Sequence, residues 1–270
     1  MRGEAKVNGA SFHFELAGKG RPLVLLHAGI CDGRMWGGQF DAFAEHYTVL
    51  RYDRRGFGRT TQAANRFSHA DDFKALLRHF GFERATLVGC SQGGRIALNF
   101  ALSLPESVDA LVLVASALSG YEYESPPPPQ VRELEEAGAA GDLERVNELE
   151  LQMWVDGPRR SPGEVDRCVR ELVREMNGAA LRALVGEEVP PVAENAASWL
   201  RYVSAPTLVV VGDLDTARTI EAANFLAEGI PGARLEVIRG TAHLPNMERP
   251  EEFNRLVLNF LSEHGGAEDR

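Results

Sequence analysis

Lysine and cysteine are both scarce in these 270 residues, and each shortage narrows the reading. The three cysteines, Cys31, Cys90 and Cys168, stand in unrelated contexts with no paired spacing. That pattern offers neither a disulfide framework nor a zinc site, and it fits a reducing, cytoplasmic compartment. Lysine occurs only at positions 6, 19 and 74, so nearly all of the 29 basic residues are arginine. They are outnumbered by 39 acidic residues, for a formal net charge of -10. A cationic stripe able to displace counterions from phosphates is missing, which argues against nucleic acid as a partner. No apolar run approaches the roughly 18 residues that a membrane span needs, and the opening MRGEAKVNGASF lacks the apolar stretch of a secretory signal. The expectation is a soluble cytosolic protein that meets a small molecule rather than a membrane.

What is present is an ordinary globular composition, 44% hydrophobic and 25% charged. Apolar, β-type runs recur at 11–17, 22–27, 47–53, 85–90, 109–115, 206–212 and 233–238. The first alternates in and out, whereas most of the others are nearly all apolar, the pattern of a strand covered on both faces. Amphipathic helical stretches separate them. Residues 68–80 open on Ser68 with Asp71 three further on, carry Phe73, Leu76, Leu77 and Phe80 at helical spacing, and stop at Gly81. Residues 92–104, 219–229 and 250–263 read the same way, the last with Pro250 in its first turn. Strand and helix alternate as in a doubly wound α/β sheet, and the opening two strands are expected to form an antiparallel edge.

The alternation breaks between about 118 and 203, where Pro126 to Pro129 precede helix-prone sequence rich in Glu and Arg. The predicted organisation is a core of 1–117 and 204–270 interrupted by a helical insertion at 118–203. Leu134, Leu143, Val146, Leu149, Met153 and Trp154 would form one buried face of that insertion, with the charges solvated.

The sharpest local signal is Gly89-Cys90-Ser91-Gln92-Gly93-Gly94, between the strand ATLVG and a helix beginning near Gln92. In that setting it matches a nucleophile elbow, a tight turn that lifts the serine hydroxyl into the open. Small residues flank the serine because the turn brings neighbouring chain too close for a Cβ. Cys90 would need small residues at 88 and 92, where the chain has Val88 and Gln92, so it reads as a buried filler. A serine at neutral pH needs a base, and the chain order expected of this motif is Ser, acid, His. His243 in GTAHLPNMERPEEF lies on a loop between the last predicted strand and helix, while His46, His69 and His79 sit in surface contexts and His264 in a tail. GDLD supplies two acid candidates, Asp213 and Asp215. The oxyanion needs two backbone N–H groups, one from Gln92 and one from the loop LLHAGICDGRMW, where Gly29 is the candidate and Ile30 the fallback. His27 reads as a tie for that loop. Cys31, Met35 and Trp36 are candidate pocket residues, as are Tyr121, Tyr123 and Trp154 from the insertion.

Together LLHAG, RYDRRGFGRT, LVGCSQGG, VVVGDLD and GTAHLPNMERPEEFNRLVLNFL resemble the α/β-hydrolase superfamily with a small helical cap. The tail segment and the LHAGICDGRMW loop are similar to the branch holding enol-lactone hydrolases, cofactor-free peroxidases and small carboxylesterases. The resemblance spans nearly all of the chain outside the insertion. It implies an α/β-hydrolase fold, a mostly parallel eight-stranded sheet flanked by helices, with 118–203 as cap. It further implies Ser91 as nucleophile, Asp215 as acid, His243 as base and Gly29 with Gln92 as oxyanion donors, cleaving a small ester or lactone with no metal or organic cofactor. The dehalogenase and epoxide-hydrolase branches need Asp where this chain has Ser91, and HAG stands in place of the HGGPG-like loop of proline iminopeptidases. Carbon–carbon bond hydrolysis or perhydrolysis on the same triad, and a ligand receptor keeping a slow triad, stay as alternatives.

Overall fold

The computed structural model describes residues 1–61, 66–183, 186–189 and 195–264. β1 (Arg2–Val7), β2 (Ala10–Ala17) and β3 (Pro22–Leu26) lead to α1 (Gly37–Ala44) and β4 (Thr48–Tyr52). A two-residue β5 (Arg66–Phe67) is followed by α2 (His69–His79), β6 (Ala85–Cys90), α3 (Gln92–Ser103) and β7 (Val108–Val114). The segment between β7 and β9, predicted as an insertion, carries α4 (Val131–Ala140), α5 (Leu143–Glu150), a π-helical turn (Leu151–Asp156), α6 (Arg167–Arg182) and the short β8 (Glu187–Glu188). β9 (Thr207–Gly212), α7 (Ala217–Gly229), β10 (Arg234–Ile238), α8 (Pro245–Glu248) and α9 (Pro250–His264) follow.

Eight strands form one sheet in the order β1-β2-β4-β3-β6-β7-β9-β10. β2 is antiparallel to both its neighbours, and every other pairing in the sheet is parallel. This is the doubly wound sheet that the alternation of runs suggested, with the eight mostly parallel strands that the resemblance implied. One expectation is corrected: the antiparallel edge is β1 with β2, while the 22–26 strand lies mid-sheet, parallel to β4 and β6. β1 escaped notice because RGEAKV has only Ala5 buried. β3 has no solvated face to alternate against, so Val24 and Leu26 pack on one side of the sheet and Leu23 and Leu25 on the other.

Two cores result. Phe73, Leu76 and Leu77 of α2, Ile96 and Phe100 of α3 and Leu226 of α7 fill one face. Phe43 of α1 and Phe253, Val257 and Phe260 of α9 fill the other, joined by Val173 and Met176 of α6. The start of α2 is held as its sequence indicated, with the Ser68 hydroxyl oxygen accepting from the Asp71 amide at 3.2 Å. In the insertion Val146, Leu149 and Met153 are buried, but Leu143 is exposed at the start of α5, where Asp142 caps the helix. Of the 118–203 segment, residues 184–185 and 190–194 lie outside the described residues.

The strand order steps outward in both directions from β3 and β6. At such a switch point the loops leaving adjacent parallel strands diverge and open a crevice at their carboxyl ends. The 27–36 loop leaves β3 there and Ser91 leaves β6.

Candidate active site

Ser91 occupies the turn between β6 and α3 with φ 53° and ψ -114°, a region that L residues seldom adopt. Its neighbours leave it no room to relax. A Cβ on Gly89 would stand 2.5 Å from the Gly93 carbonyl oxygen, and one on Gly93 would collide with the carbonyls of Leu26 and His27. The turn is further pinned by the Ser91 amide donating to the Val114 carbonyl at 2.8 Å. Gln92 is the first residue of α3, so its amide is one of the unpaired donors at a helix start.

The two acids of GDLD separate. Asp215 is buried, and its Oδ2 lies 2.8 Å from His243 Nδ1 while its Oδ1 accepts from the Thr216 amide at 2.7 Å. Asp213 accepts from the Gly240 amide at 2.6 Å and closes a turn instead. The Asp215 contact places the proton on His243 Nδ1 and leaves Nε2 as the basic nitrogen. Trp154, from the π-helical turn, packs at a tilt against the His243 ring with centroids 4.6 Å apart, and its carbonyl accepts from the His243 amide at 3.2 Å.

Ser91 and His243 line one cavity of about 420 Å³, with Gly29 and Gln92 on the core side and Glu150 and Trp154 on the insertion side. Ile30, Phe57, Arg95 and Ala117 complete the wall. Glu150 ends α5, half-buried, and accepts from Asn177 Nδ2 at 2.7 Å. Burial raises its pKa above the usual carboxylate range, against the pull of the Asn177 bond. Behind Gly29 lies Arg54, buried, its Nη1 donating to Gln92 Oε1 at 2.7 Å and its Nη2 to the Ala28 carbonyl at 3.2 Å.

Several sequence expectations move. Trp36 is not a wall residue: it is buried against Phe253, ring centroids 6.3 Å apart, because its helical turn lies between the sheet and α9. Cys31 and Met35 are buried in the same core. Tyr121 lies off the cavity too, packed 4.5 Å from the Phe225 ring with its hydroxyl donating to Glu221 at 3.0 Å, and Tyr123 packs edge-on against it. Of the candidate insertion aromatics, Trp154 alone lines the cavity. Arg95 lines the cavity, 3.6 Å from Glu188, whereas Arg34 pairs with Asp32 and Glu175. His69 is buried beside Phe67 rather than at the surface. Cys90 is buried as a filler, and burial pushes its thiol pKa up.

The family model for the α/β hydrolase fold matches residues 21–151. A 2-hydroxy-6-oxo-6-phenylhexa-2,4-dienoate hydrolase of Comamonas testosteroni is 27% identical over 92% of this chain and 90% of its own. A solved N-acyl homoserine lactone degrading enzyme superposes with a TM-score of 0.78 at 29% identity, covering 95% of this chain and 99% of its own. A thermophilic esterase of Thermogutta terrifontis does so with 0.77 at 26%, covering 98% and 100%. The chain has the α/β-hydrolase fold, the family model spanning a little under half of its length. Hydrolases of carbon–carbon, lactone and ester bonds stand among its relatives and structural neighbours.

Proposed function

We propose that this protein is a serine hydrolase that cleaves a small carboxylic ester or lactone through an acyl-enzyme on Ser91. The observation that carries the reading is the 2.8 Å contact of His243 with buried Asp215, on a cavity that His243 shares with the strained Ser91. His243 Nε2 takes the Ser91 proton as the oxygen attacks the acyl carbon, and the amides of Gly29 and Gln92 hold the oxyanion. The protonated imidazole then returns its proton to the leaving alcohol, which for a lactone stays tethered to the acyl group. Water, activated by the same nitrogen, releases the acid. Asp215 holds the imidazole in the required tautomer and stabilises its charged form. In this reading 118–203 is a cap, its Trp154 and Glu150 bounding the substrate. A cavity of about 420 Å³ suits a small substrate.

The test is hydrolysis of p-nitrophenyl esters from acetate to octanoate. Turnover that peaks at short chains and vanishes in Ser91→Ala is the expected result. Activity surviving in Ser91→Ala sinks the reading. A second reading, hydrolysis of a carbon–carbon bond in a ring-cleavage dienone, is favoured by the Comamonas testosteroni relative. It predicts turnover of such dienones, again lost in Ser91→Ala, with esters left nearly untouched.

A further inference from the structure

Two adjacent arginines are buried in RYDRRGFGRT, and only one has an acid. Arg55 meets Asp72 through two bonds, at 2.8 and 3.0 Å. Arg54 has no carboxylate within ion-pair distance among the described residues, although its side chain is just as deep. An unpaired buried cation is costly, and folds retain one where a fixed charge has a use. Burial pulls its pKa down to about 10, so the guanidinium is still charged at neutral pH.

Its side-chain bonds converge on the two segments that carry the oxyanion amides. The Ala28 carbonyl, which accepts from Arg54 Nη2 at 3.2 Å, belongs to the same peptide unit as the Gly29 N–H. That carbonyl takes a second donor, since His27 Nδ1 lies 2.8 Å from it and His27 Nε2 accepts from the Arg54 amide at 2.9 Å. Arg54 Nη1 meanwhile holds the Gln92 side chain at 2.7 Å, and that side chain is what a Cβ on Gly29 would meet. The Phe57 ring, 4.5 Å from the guanidinium carbon, supports its face. Donors on a carbonyl deepen the polarity of its peptide, so hydrogen bonds in series strengthen one another.

We propose that Arg54 is a positioning residue for the oxyanion hole: it polarises the Ala28–Gly29 peptide and fixes Gly29 against Gln92. This rests on the acyl-transfer reading above. The charge acts through the Gly29 amide on the tetrahedral oxyanion, and has much less effect on the neutral carbonyl of the bound ester.

Arg54→Gln removes the charge while keeping an amide. With p-nitrophenyl acetate, kcat falls about 10–100-fold, less than or comparable to the loss of a whole oxyanion donor, and KM stays within about threefold. The dissociation constant of a phenylboronic acid, which adds to Ser91 as a tetrahedral anion, rises by a similar factor. Arg54→Lys restores part of both. Should Arg54→Gln fold poorly, Gln92→Ala carries the test by removing the acceptor of Nη1, with kcat and boronate affinity falling together severalfold. A role confined to holding the loop would instead raise KM and lower the melting temperature while leaving boronate affinity unchanged, and that result overturns the proposal. Ser91→Ala run alongside separates the two claims. If it is inactive while Arg54→Gln keeps full kcat, only the Arg54 proposal fails; if it stays active, the acyl-transfer reading fails and this proposal with it.

Discussion

The sheet and the insertion contribute to the same cavity by different means. Ser91, Asp215 and His243 stand on short turns at the carboxyl edge of a sheet whose central strands are covered on both sides. Each is locked by backbone: a strained φ at Ser91, a Thr216 amide on Asp215, a Trp154 carbonyl on the His243 amide. The insertion adds a buried charge network to its apolar packing. Buried Arg170 bonds both oxygens of buried Asp156 at 2.9 Å and reaches Glu148 at 2.8 Å, and Arg174 meets Glu148 as well. The difference teaches a division of labour: rigid main chain for the groups proposed to break the bond, and a side-chain network for the wall proposed to meet the substrate.

The largest expected effect lies on the sheet side. Asp215→Asn lowers kcat for p-nitrophenyl acetate by about 10⁴, with the fold intact by circular dichroism, because the wrong tautomer is presented. Asp213→Asn, which keeps an acceptor for Gly240, stays within about threefold. Comparable losses in both would erase the distinction between the two acids. Next comes the insertion's network. Asp156→Asn removes the more deeply buried of the two carboxylates that meet Arg170, leaving Glu148, and lowers unfolding free energy by about 1–3 kcal/mol, read by denaturant titration. A change under about 1 kcal/mol would mean that the network contributes shape without stability.

The smallest effect concerns Glu150. Because burial raises its pKa, it is neutral at the acid end of the range and gains its negative charge later than an ordinary carboxylate as pH rises. A p-nitrophenyl ester with a terminal carboxylate should bind better at low pH, its KM climbing relative to the neutral ester as Glu150 ionises. Repulsion across the cavity of about 1 kcal/mol makes that climb roughly fivefold. Any effect common to the two esters cancels in the ratio. Glu150→Gln flattens the ratio; an unchanged slope would remove Glu150 from substrate discrimination.

The same contrast governs what could be read from sequence. Turn chemistry is local, so Gly89, Ser91 and Gly93 announced the elbow, and GDLD narrowed the acid to two positions whose separation only the fold supplies. Aromatic residues carry no such address: Trp36 and Tyr121 looked as suited to a pocket as Trp154, and went to cores because of what packs over them. Glu150 was hidden among solvated glutamates of a charged helix. Arg54 was hidden by its company, since a DRRG turn reads as surface charge until both guanidinium groups prove to be buried. β1, with a single buried residue, was below the threshold of any periodicity.

The amide of His243 and the carbonyl of Trp154 give the seam between the two parts a further consequence. Gly157, at φ +74°, continues that seam, since a Cβ there would stand 2.5 Å from the Leu214 carbonyl oxygen, next to Asp215. Insertions in this fold are therefore not freely interchangeable parts. A graft from another member onto this core must bring a main-chain acceptor at position 154 and a glycine at 157, or the histidine loop loses its alignment even when the new roof fits the substrate.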